Sequence, residues 1–238
     1  MSEYDFRVKR AATTLRHSVT ESIRNAIAVG HYKAGDRMPE RDLCEMTGVS
    51  RTLVREALRQ LESEGLVCVI AHKGPVVATI TAEQARGIYQ VREVLESLAA
   101  KLFAENATQK DIEAIEDAFA RVRQTYQEGD ILDRLAAKNH FYDCLVTGSG
   151  NEALGVALHM INARTMILRG RSLQLPSRWK ESLKELQALI DALKDRDPDK
   201  AHAMATIHVR KATDAVMQSL AGDEAADALA ESKPRITS

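Results

Sequence analysis

The stretch MPERDLCEMTGVSRTLVREALRQLESEGLV, residues 38–67, contains two short helical patterns separated by a glycine turn. The first pattern has Pro39 where a first helical turn tolerates it and Gly48 just after its end. The second begins at Ser50, a favourable N-cap residue, and ends at Gly65. Two helices joined by the short turn TGVS are typical of a helix-turn-helix.

The residues on either side complete this motif. Upstream, TTLRHSVTESIRNAIAVG (13–30) repeats apolar residues at four-residue steps, which predicts a third helix. Downstream, LVCVI and PVVATI are predicted strands joined by the turn AHKG. Residues 1–80 are therefore predicted to form a winged helix-turn-helix. Its core is expected to join two apolar sets, namely Leu15, Ile23 and Leu43 on one side and Ala57, Leu58 and Leu61 on the other.

Residues 81–221 show helical periodicity only, and six helices are predicted, the last from Pro198 to about residue 220. The helix from Thr81 would join the two domains with almost no linker. Residues 222–238 are small and polar and are expected to form a flexible tail. The predicted fold class is mainly α, with an N-terminal winged helix-turn-helix and a C-terminal all-α six-helix bundle.

Composition narrows the class of protein. Hydrophobic residues make up 45%, charged residues 28% and aromatic residues 4%, which favours packed helices over sheets. There is no membrane-length apolar run or signal-peptide pattern, and the three cysteines are widely spaced, so a cytoplasmic protein is expected. Residues 1–80 carry 12 Lys and Arg against 10 Asp and Glu, while the remainder carries 21 against 24. This weak asymmetry permits a nucleic-acid-binding half without demonstrating one.

The second helix of the motif has one apolar face and one basic face. Arg51, Arg55 and Arg59 are four residues apart and share a face with Thr52. Arginine binds guanine bidentately in the major groove, and hydroxyl groups bind phosphates. An arginine stripe alone is usually a solvated face, but here the neighbouring helix, the turn and the wing favour DNA reading.

These residues resemble the signature of the GntR family of bacterial transcription regulators, L-P-S-E-R-x-L-A-x-x-x-G-V-S-R-x-P-V-R-E-A-L-x-x-L-x-x-E-G-L. The chain departs from it at Leu53 and in one residue missing between Pro39 and Glu40. The resemblance implies base reading by Arg51 and Arg55. The full set of implied DNA contacts is Arg41, Ser50, Arg51, Thr52, Arg55, His72, Lys73 and Gly74. Two alternatives stay open: Arg41 pairs with Glu45 one turn on, and His72 is a solvated turn residue.

The second half resembles the ligand-binding domain of the FadR (FCD) branch, in its VanR-like subgroup, through IYQVREVLESLAA, LVTGSGN and KDRDPDKAHAMATIH. Many members of this branch bind a divalent metal with one Asp and three His. Aligned on Ser149-Gly150-Asn151, three of these positions carry Lys138, Tyr142 and Leu186, and His208 alone keeps its ligand. Because such sites need three or four protein ligands, no metal and no other cofactor is expected.

The stretch AKNHFYDCLV (137–146) also offers His140, Asp143 and Cys144 at helical spacing. At roughly 100° per residue, the apolar face of this helix is centred near Tyr142, and His140 and Cys144 lie about 160° away. These three side chains are therefore expected to point away from the bundle core. They are not expected to form a metal site.

A lysine on an apolar helix face needs a partner or a route to solvent. Our hypothesis is that Lys138 replaces the metal charge and binds a carboxylate effector, with Tyr142 and His208 as hydrogen-bond donors. The resemblance adds Arg92 and Arg164 as inward arginines that clamp the carboxylate. In the alternative, Lys138 or Arg92 pairs with Glu96 and His208 is a core histidine.

The leading functional hypothesis is a homodimeric transcription regulator that reads a short pseudo-palindromic operator in double-stranded DNA. It would be a repressor released by a small organic acid, with no membrane partner. Three alternatives remain open: a ligand-independent regulator whose bundle only dimerises, a metal-dependent sensor and an acyl-CoA sensor. An enzyme is disfavoured because the sequence has no phosphate-binding loop and no nucleophile-elbow pattern.

Overall fold

The structure is a computed structural model that describes residues 12–175 and 178–231. The chain divides into two compact units, one ending at Thr79 and the other beginning at Ile80. Within the described ranges, no helix is long and apolar enough to cross a membrane.

The first unit has three helices and a β-hairpin, in the order that the sequence predicts. The strands pair antiparallel, with Val67 opposite Val77, and Arg37 adds an isolated bridge to Val76. Gly48 ends the second helix in the left-handed conformation, with φ of 69°, which glycine adopts without a steric cost. The elements are α1 (Ala12–Ala28), α2 (Glu40–Thr47), α3 (Arg51–Ser63), β1 (Val67–Ile70) and β2 (Gly74–Val77).

The core of this unit forms where α1 and α2 pack against α3. Ile23, Leu43 and Leu61 are fully buried, as the helical spacing predicts. The expectation for Leu15 is wrong, since 49% of this residue is exposed. Leu15 lies about 12 Å from Ile23 along the axis of α1, past the edge of the small core.

The second unit contains six helices within the described residues, and several of them begin at a side-chain cap. Thr81 and Thr108 each form a capping box, and the Asn151 side chain accepts a hydrogen bond from the backbone of Leu154. The helices are α4 (Ala82–Asn106), α5 (Gln109–Glu128), α6 (Ile131–Gly148), α7 (Glu152–Gln174), α8 (Arg178–Lys194) and α9 (Pro198–Glu231).

The last helix is longer than expected. It continues past the predicted end near residue 220 to Glu231, so residues 222–231 are helical where a flexible tail was predicted. The segment contains four Ala and two Glu, which have high helix propensity, and no proline. The rest of the predicted tail, residues 232–238, lies outside the described residues.

The bundle core lies where α4 packs along α9, with α7 closing one side. Tyr89, Leu168, Val209 and Val216 are buried together there. A second close contact joins α6 to α4. A side chain on Gly148 would overlap the ring of Phe103, so this packing requires glycine.

We predict that Gly148→Ala destabilises the bundle by about 1–3 kcal/mol, because the added methyl group must displace the buried Phe103 ring. Gly87→Ala is the matched control, since a Cβ on Gly87 in α4 would meet no atom within 4 Å. This control should be neutral or more stable by about 0.5–1 kcal/mol. Denaturant unfolding monitors both variants, and equal stability of the two would contradict the packing argument.

Candidate DNA-binding and effector-binding sites

Helix α3 separates its two faces as the sequence predicts. Its apolar residues, including Val54 and Ala57, are buried. On the other face the Arg51 and Arg55 side chains are 64% and 58% exposed, and Thr52 is exposed beside them. Guanidinium and hydroxyl groups are therefore exposed on this face, where they can meet base edges and phosphates.

Glu40, a residue that the sequence reasoning did not select, lies beside these arginines. One oxygen of its carboxylate accepts a hydrogen bond of 2.7 Å from Arg55 Nε, and the other lies 3.9 Å from Arg51 Nε. Glu40 is at the start of α2, so no periodicity within α3 indicates this contact. The carboxylate orients both side chains in the DNA-free protein.

The remaining predicted DNA contacts lie at α2, at the turn and at the wing. Arg41 donates to Glu45 over 2.9 Å, so the pairing that the sequence offered as an alternative is formed, and 80% of the Arg41 side chain stays exposed. Ser50 caps α3 through its backbone alone, because its side chain makes no capping hydrogen bond.

The wing tip has an unusual backbone. His72 and Gly74 have φ of 62° and 81°, and the His72 and Lys73 side chains are exposed. Arg37 Nε donates to the backbone oxygen of Lys73 over 3.0 Å and so holds the tip in place. Arg37 was not selected from the sequence either.

Inside the bundle, α4 contributes a buried ion pair. Arg92 Nε donates to Glu96 Oε1 over 2.7 Å, and these residues are only 2% and 4% exposed. The Arg92 guanidinium also lies over the ring of Tyr89, 4.6 Å from its centroid. The Arg92–Glu96 pairing that the sequence left open is therefore formed, while Lys138 pairs elsewhere.

Lys138 and His208 belong to one buried hydrogen-bond chain. Lys138 Nζ donates to Ser182 Oγ over 3.0 Å and lies 3.1 Å from His208 Nε2. His208 Nδ1 lies 2.6 Å from a Glu185 oxygen, and Arg178 donates to both Glu185 oxygens over 3.1 and 2.9 Å. Since Glu185 only accepts, His208 carries its proton on Nδ1, and its Nε2 lone pair faces the Lys138 amine.

This interior holds more positive than negative groups. The cations are Arg92, Lys138, Arg169 and Arg178, and the carboxylates beside them are Glu96 and Glu185. Arg169 donates to Asn139 and lies over the Tyr142 ring at 4.7 Å, but it pairs with no carboxylate of the described ranges. Burial, together with the charges of Arg169, Arg178 and Arg92, lowers the pKa of Lys138 well below its ordinary value.

Two cavities adjoin the cluster. The small cavity has a volume of about 20 Å³, which holds one water molecule, and it contacts Lys138 and His208. The wide cavity has a volume of about 190 Å³ and lies between α4, α6 and α7. Arg92, Tyr142 and Arg169 line both cavities. A small organic molecule fits only the wide one.

One predicted effector residue is misplaced. Arg164 is exposed on α7 and lines neither cavity, whereas Arg169 of the same helix is buried and lines both. Five residues at roughly 100° each rotate a side chain by about 140°, so the two arginines leave the helix on different sides. The sequence reasoning assigned the inward arginine to the wrong turn of this helix.

The residues at the metal position do not fit a metal ion. The Nε2 lone pair of His208 already faces Lys138, and the other groups beside Lys138 are the Ser182 hydroxyl and the Tyr142 ring. None of these is a carboxylate, thiolate or second imidazole. In residues 12–175 and 178–231, no three His, Cys, Asp or Glu side chains come together as a ligand set.

The orientation predicted for residues 137–146 is confirmed. Lys138 and Tyr142 are buried, while His140 and Asp143 are exposed and Cys144 is half-buried. Cys144 Sγ lies 3.8 Å from His140 Nε2 on this outer face. His140 and Cys144 thus stay apart from the cationic interior, whereas Asp143 is exposed but also lines the wide cavity.

We predict that the bundle loses stability as pH falls below 6.5. Burial, with the nearby Lys138, lowers the pKa of His208 from 6.5 to about 3, so between these values the unfolded chain binds the extra proton. The loss should reach up to about 1.4 kcal/mol per pH unit. Denaturant midpoints at pH 7.5, 6.5 and 5.5 measure it, and His208→Gln should flatten the dependence. An unchanged slope in the variant would contradict this assignment.

Each of the two units matches a known protein family. The family described as bacterial regulatory proteins, gntR family, matches residues 15–77, and the FCD domain family matches residues 87–211. The Nta operon transcriptional regulator of Aminobacter aminovorans is 29% identical over 192 residues, covering 81% of this chain and 90% of that protein. A probable D-xylose utilization operon transcriptional repressor of Paenarthrobacter nicotinovorans is 28% identical over 215 residues, covering 90% and 94%.

Among solved structures, E. coli McbR/YncC superposes with a TM-score of 0.73 at 22% identity, covering 86% of this chain and 97% of that one. This similarity supports the fold alone. The two family matches account for the helix-turn-helix with its wing and for most of the helical bundle. The chain therefore belongs to the GntR family of bacterial regulatory proteins, carries an FCD domain, and is a DNA-binding transcription regulator rather than an enzyme.

Proposed function

We propose that this regulator works in the cytoplasm as a homodimer that binds a short pseudo-palindromic operator, one half-site for each helix α3. Arg51 and Arg55 read guanines, and the wing approaches the minor groove. The exposure of both arginines opposite the buried face of α3 supports this assignment. The proposed contacts are Arg41, Ser50, Arg51, Thr52, Arg55, His72, Lys73 and Gly74.

The bundle is proposed to bind a small carboxylate effector without a metal. The observation that carries this proposal is the buried excess of positive charge beside the wide cavity, where Arg169 has no carboxylate partner among the described residues. Arg92 and Arg169 attract the carboxylate, and Tyr142 donates a hydrogen bond to it. Lys138 Nζ lies 5.7 Å from the centroid of the Tyr142 ring with His208 beside it, and a carboxylate bound nearby favours the charged form of the lysine. Membership of the C-terminal domain in the VanR-like subgroup stays a prediction.

The regulator is proposed to be a repressor, which agrees with the name of the Paenarthrobacter relative. Release from the operator requires that the effector bind more tightly to a dimer arrangement that does not match the half-site spacing. An effector that binds both arrangements equally would leave repression unchanged.

A second candidate is a ligand-independent regulator whose bundle only dimerises. It is favoured because Lys138 already bonds to Ser182 and His208, and because the small cavity beside them has room for only one water molecule. The wide cavity argues against it, as does the charge of Arg169, which no carboxylate of residues 12–175 and 178–231 pairs with.

We predict that Arg51→Ala weakens binding to the cognate operator by about 1–3 kcal/mol and relaxes base preference at one position of each half-site. Lys73→Ala is the comparison variant, because a wing-tip lysine that contacts phosphate weakens binding to all sequences alike and lowers the salt dependence. Binding to cognate and scrambled duplexes at several salt concentrations separates the two effects. Equal losses on both duplexes for Arg51→Ala would refute base reading by this residue.

We predict that Lys138→Met abolishes the effector response and leaves operator affinity unchanged, because it removes the buried charge while nearly keeping the side-chain volume. Lys184→Met serves as the control, since this α8 side chain is 76% exposed and pairs only with Glu181 at the surface. Operator release is measured by fluorescence anisotropy with carboxylic acids added. A Lys138→Met protein that still responds like the wild type would exclude the proposed role of the lysine.

A further inference from the structure

Several residues that line the wide cavity carry buried polar atoms that form no hydrogen bond within the described part of the chain. Among buried side-chain atoms of the described residues, Glu96 Oε2, Tyr142 OH, Thr165 Oγ1 and Arg169 Nε form no hydrogen bond. All four residues line this cavity. Buried polar groups are normally hydrogen-bonded, so four such atoms around one space indicate a missing partner molecule.

We propose that the wide cavity binds a carboxylic acid that also carries a hydrogen-bond donor, either a hydroxyl or an ammonium group. This inference rests on the proposed effector function and defines the class of its ligand. Glu96 becomes the residue that determines specificity, because it binds the donor end of the ligand.

The unpaired atoms differ in what they require. Arg169 Nε carries a proton and needs an acceptor, which a ligand carboxylate supplies. Glu96 is paired with Arg92 as a carboxylate, which has no proton to donate, so its unpaired oxygen Oε2 can only accept a hydrogen bond. A simple carboxylate would leave Glu96 Oε2 unpaired and would be repelled by it, whereas a hydroxyl or ammonium group satisfies it. The Thr165 hydroxyl can donate or accept.

The four atoms have almost no accessible surface of their own although their residues line the cavity, so a ligand must draw them toward itself. The terminal torsion of a Glu side chain has broad energy minima, which makes such a rotation of Glu96 inexpensive. Each rotation exchanges an unpaired buried group for a hydrogen bond to the ligand.

The rest of the lining agrees with a ligand of mixed charge. Asp143, exposed at the mouth, adds a second carboxylate to Glu96, while Arg92 and Arg169 are the two permanently charged cations of the lining. Because Asp143 is exposed, the buried part of the lining keeps one carboxylate against two arginines. A ligand carboxylate can meet the arginines while a hydroxyl or ammonium group on the same ligand bonds to Glu96. Leu158 supplies part of an apolar wall, and the volume of about 190 Å³ restricts the ligand to a small molecule.

The test uses the full-length protein and matched acids of three, four and five carbons. Each series contains the unsubstituted acid, its 2-hydroxy and 2-amino forms and, where they exist, the 3-substituted forms. Affinities are measured by titration calorimetry. We expect a hydroxy or amino member to bind at least about tenfold more tightly than the unsubstituted acid of its series, which corresponds to one well-formed hydrogen bond. The preferred substituent distinguishes a hydroxy acid from an amino acid.

Variants of the lining residues test whether Glu96 and Thr165 cause the preference for substituted acids. Glu96→Gln should reduce the tenfold advantage of the substituted acid to less than about threefold, and most strongly for amino acids, because the anionic acceptor is lost. Glu96→Gln also weakens the pairing with Arg92 and could unfold the protein, so a second variant is needed. Thr165→Val removes one hydroxyl from the cavity lining, leaves the Arg92–Glu96 pair intact, and should weaken binding of the preferred acid several-fold. Thr213→Val is the matched control, since the Thr213 hydroxyl bonds to the backbone of α9 and lines neither cavity.

The outcomes separate the two proposals. Unsubstituted acids that bind as tightly as all their substituted partners would overturn this inference and leave the carboxylate effector standing. A preference that persists in Glu96→Gln and Thr165→Val would place the site elsewhere and likewise overturn it. Failure of every acid to bind would overturn both this inference and the effector proposed above.

Discussion

Burial of positive charge inside the helical bundle is the constraint on which its interior organisation depends. Arg92, Lys138 and Arg169 are each at most 7% exposed, and removing such groups from water is costly unless they find partners. Glu96 and Glu185 compensate part of this charge, through Arg92 and Arg178. What remains uncompensated lies next to a cavity large enough for a small molecule.

His208 occupies a position that resembles a metal-ligand position of the family, but here it belongs to a hydrogen-bond chain instead. His208 donates to Glu185 through Nδ1 and turns its lone pair to the Lys138 amine, so both ring nitrogens are occupied. The same chain ties α6, α8 and α9 together through buried side chains. Any ligand that alters the charge around Lys138 therefore acts on groups from three helices at once.

Much of the fold was predictable because short-range rules govern it. The caps at Thr81 and Thr108, the glycine turn at Gly48 and the order of the elements all follow from local chemistry. Two local expectations failed. Leu15 lies outside the small core, and the helix after Pro198 continues to Glu231, because helix propensity there outweighs the polar composition.

The sequence by itself determined the family motif, the two faces of α3, and the inward direction of Lys138 and Tyr142, since helical periodicity and motif spacing are properties of one segment. Only the tertiary structure decided which partners these side chains find. Glu40 beside Arg55 and Ser182 beside Lys138 are separated by 15 and 44 residues along the chain. The choice of Arg169 over Arg164 depends on how α7 is rotated against α4 and α6. Such pairings arise from the packing of whole helices, which no single segment encodes.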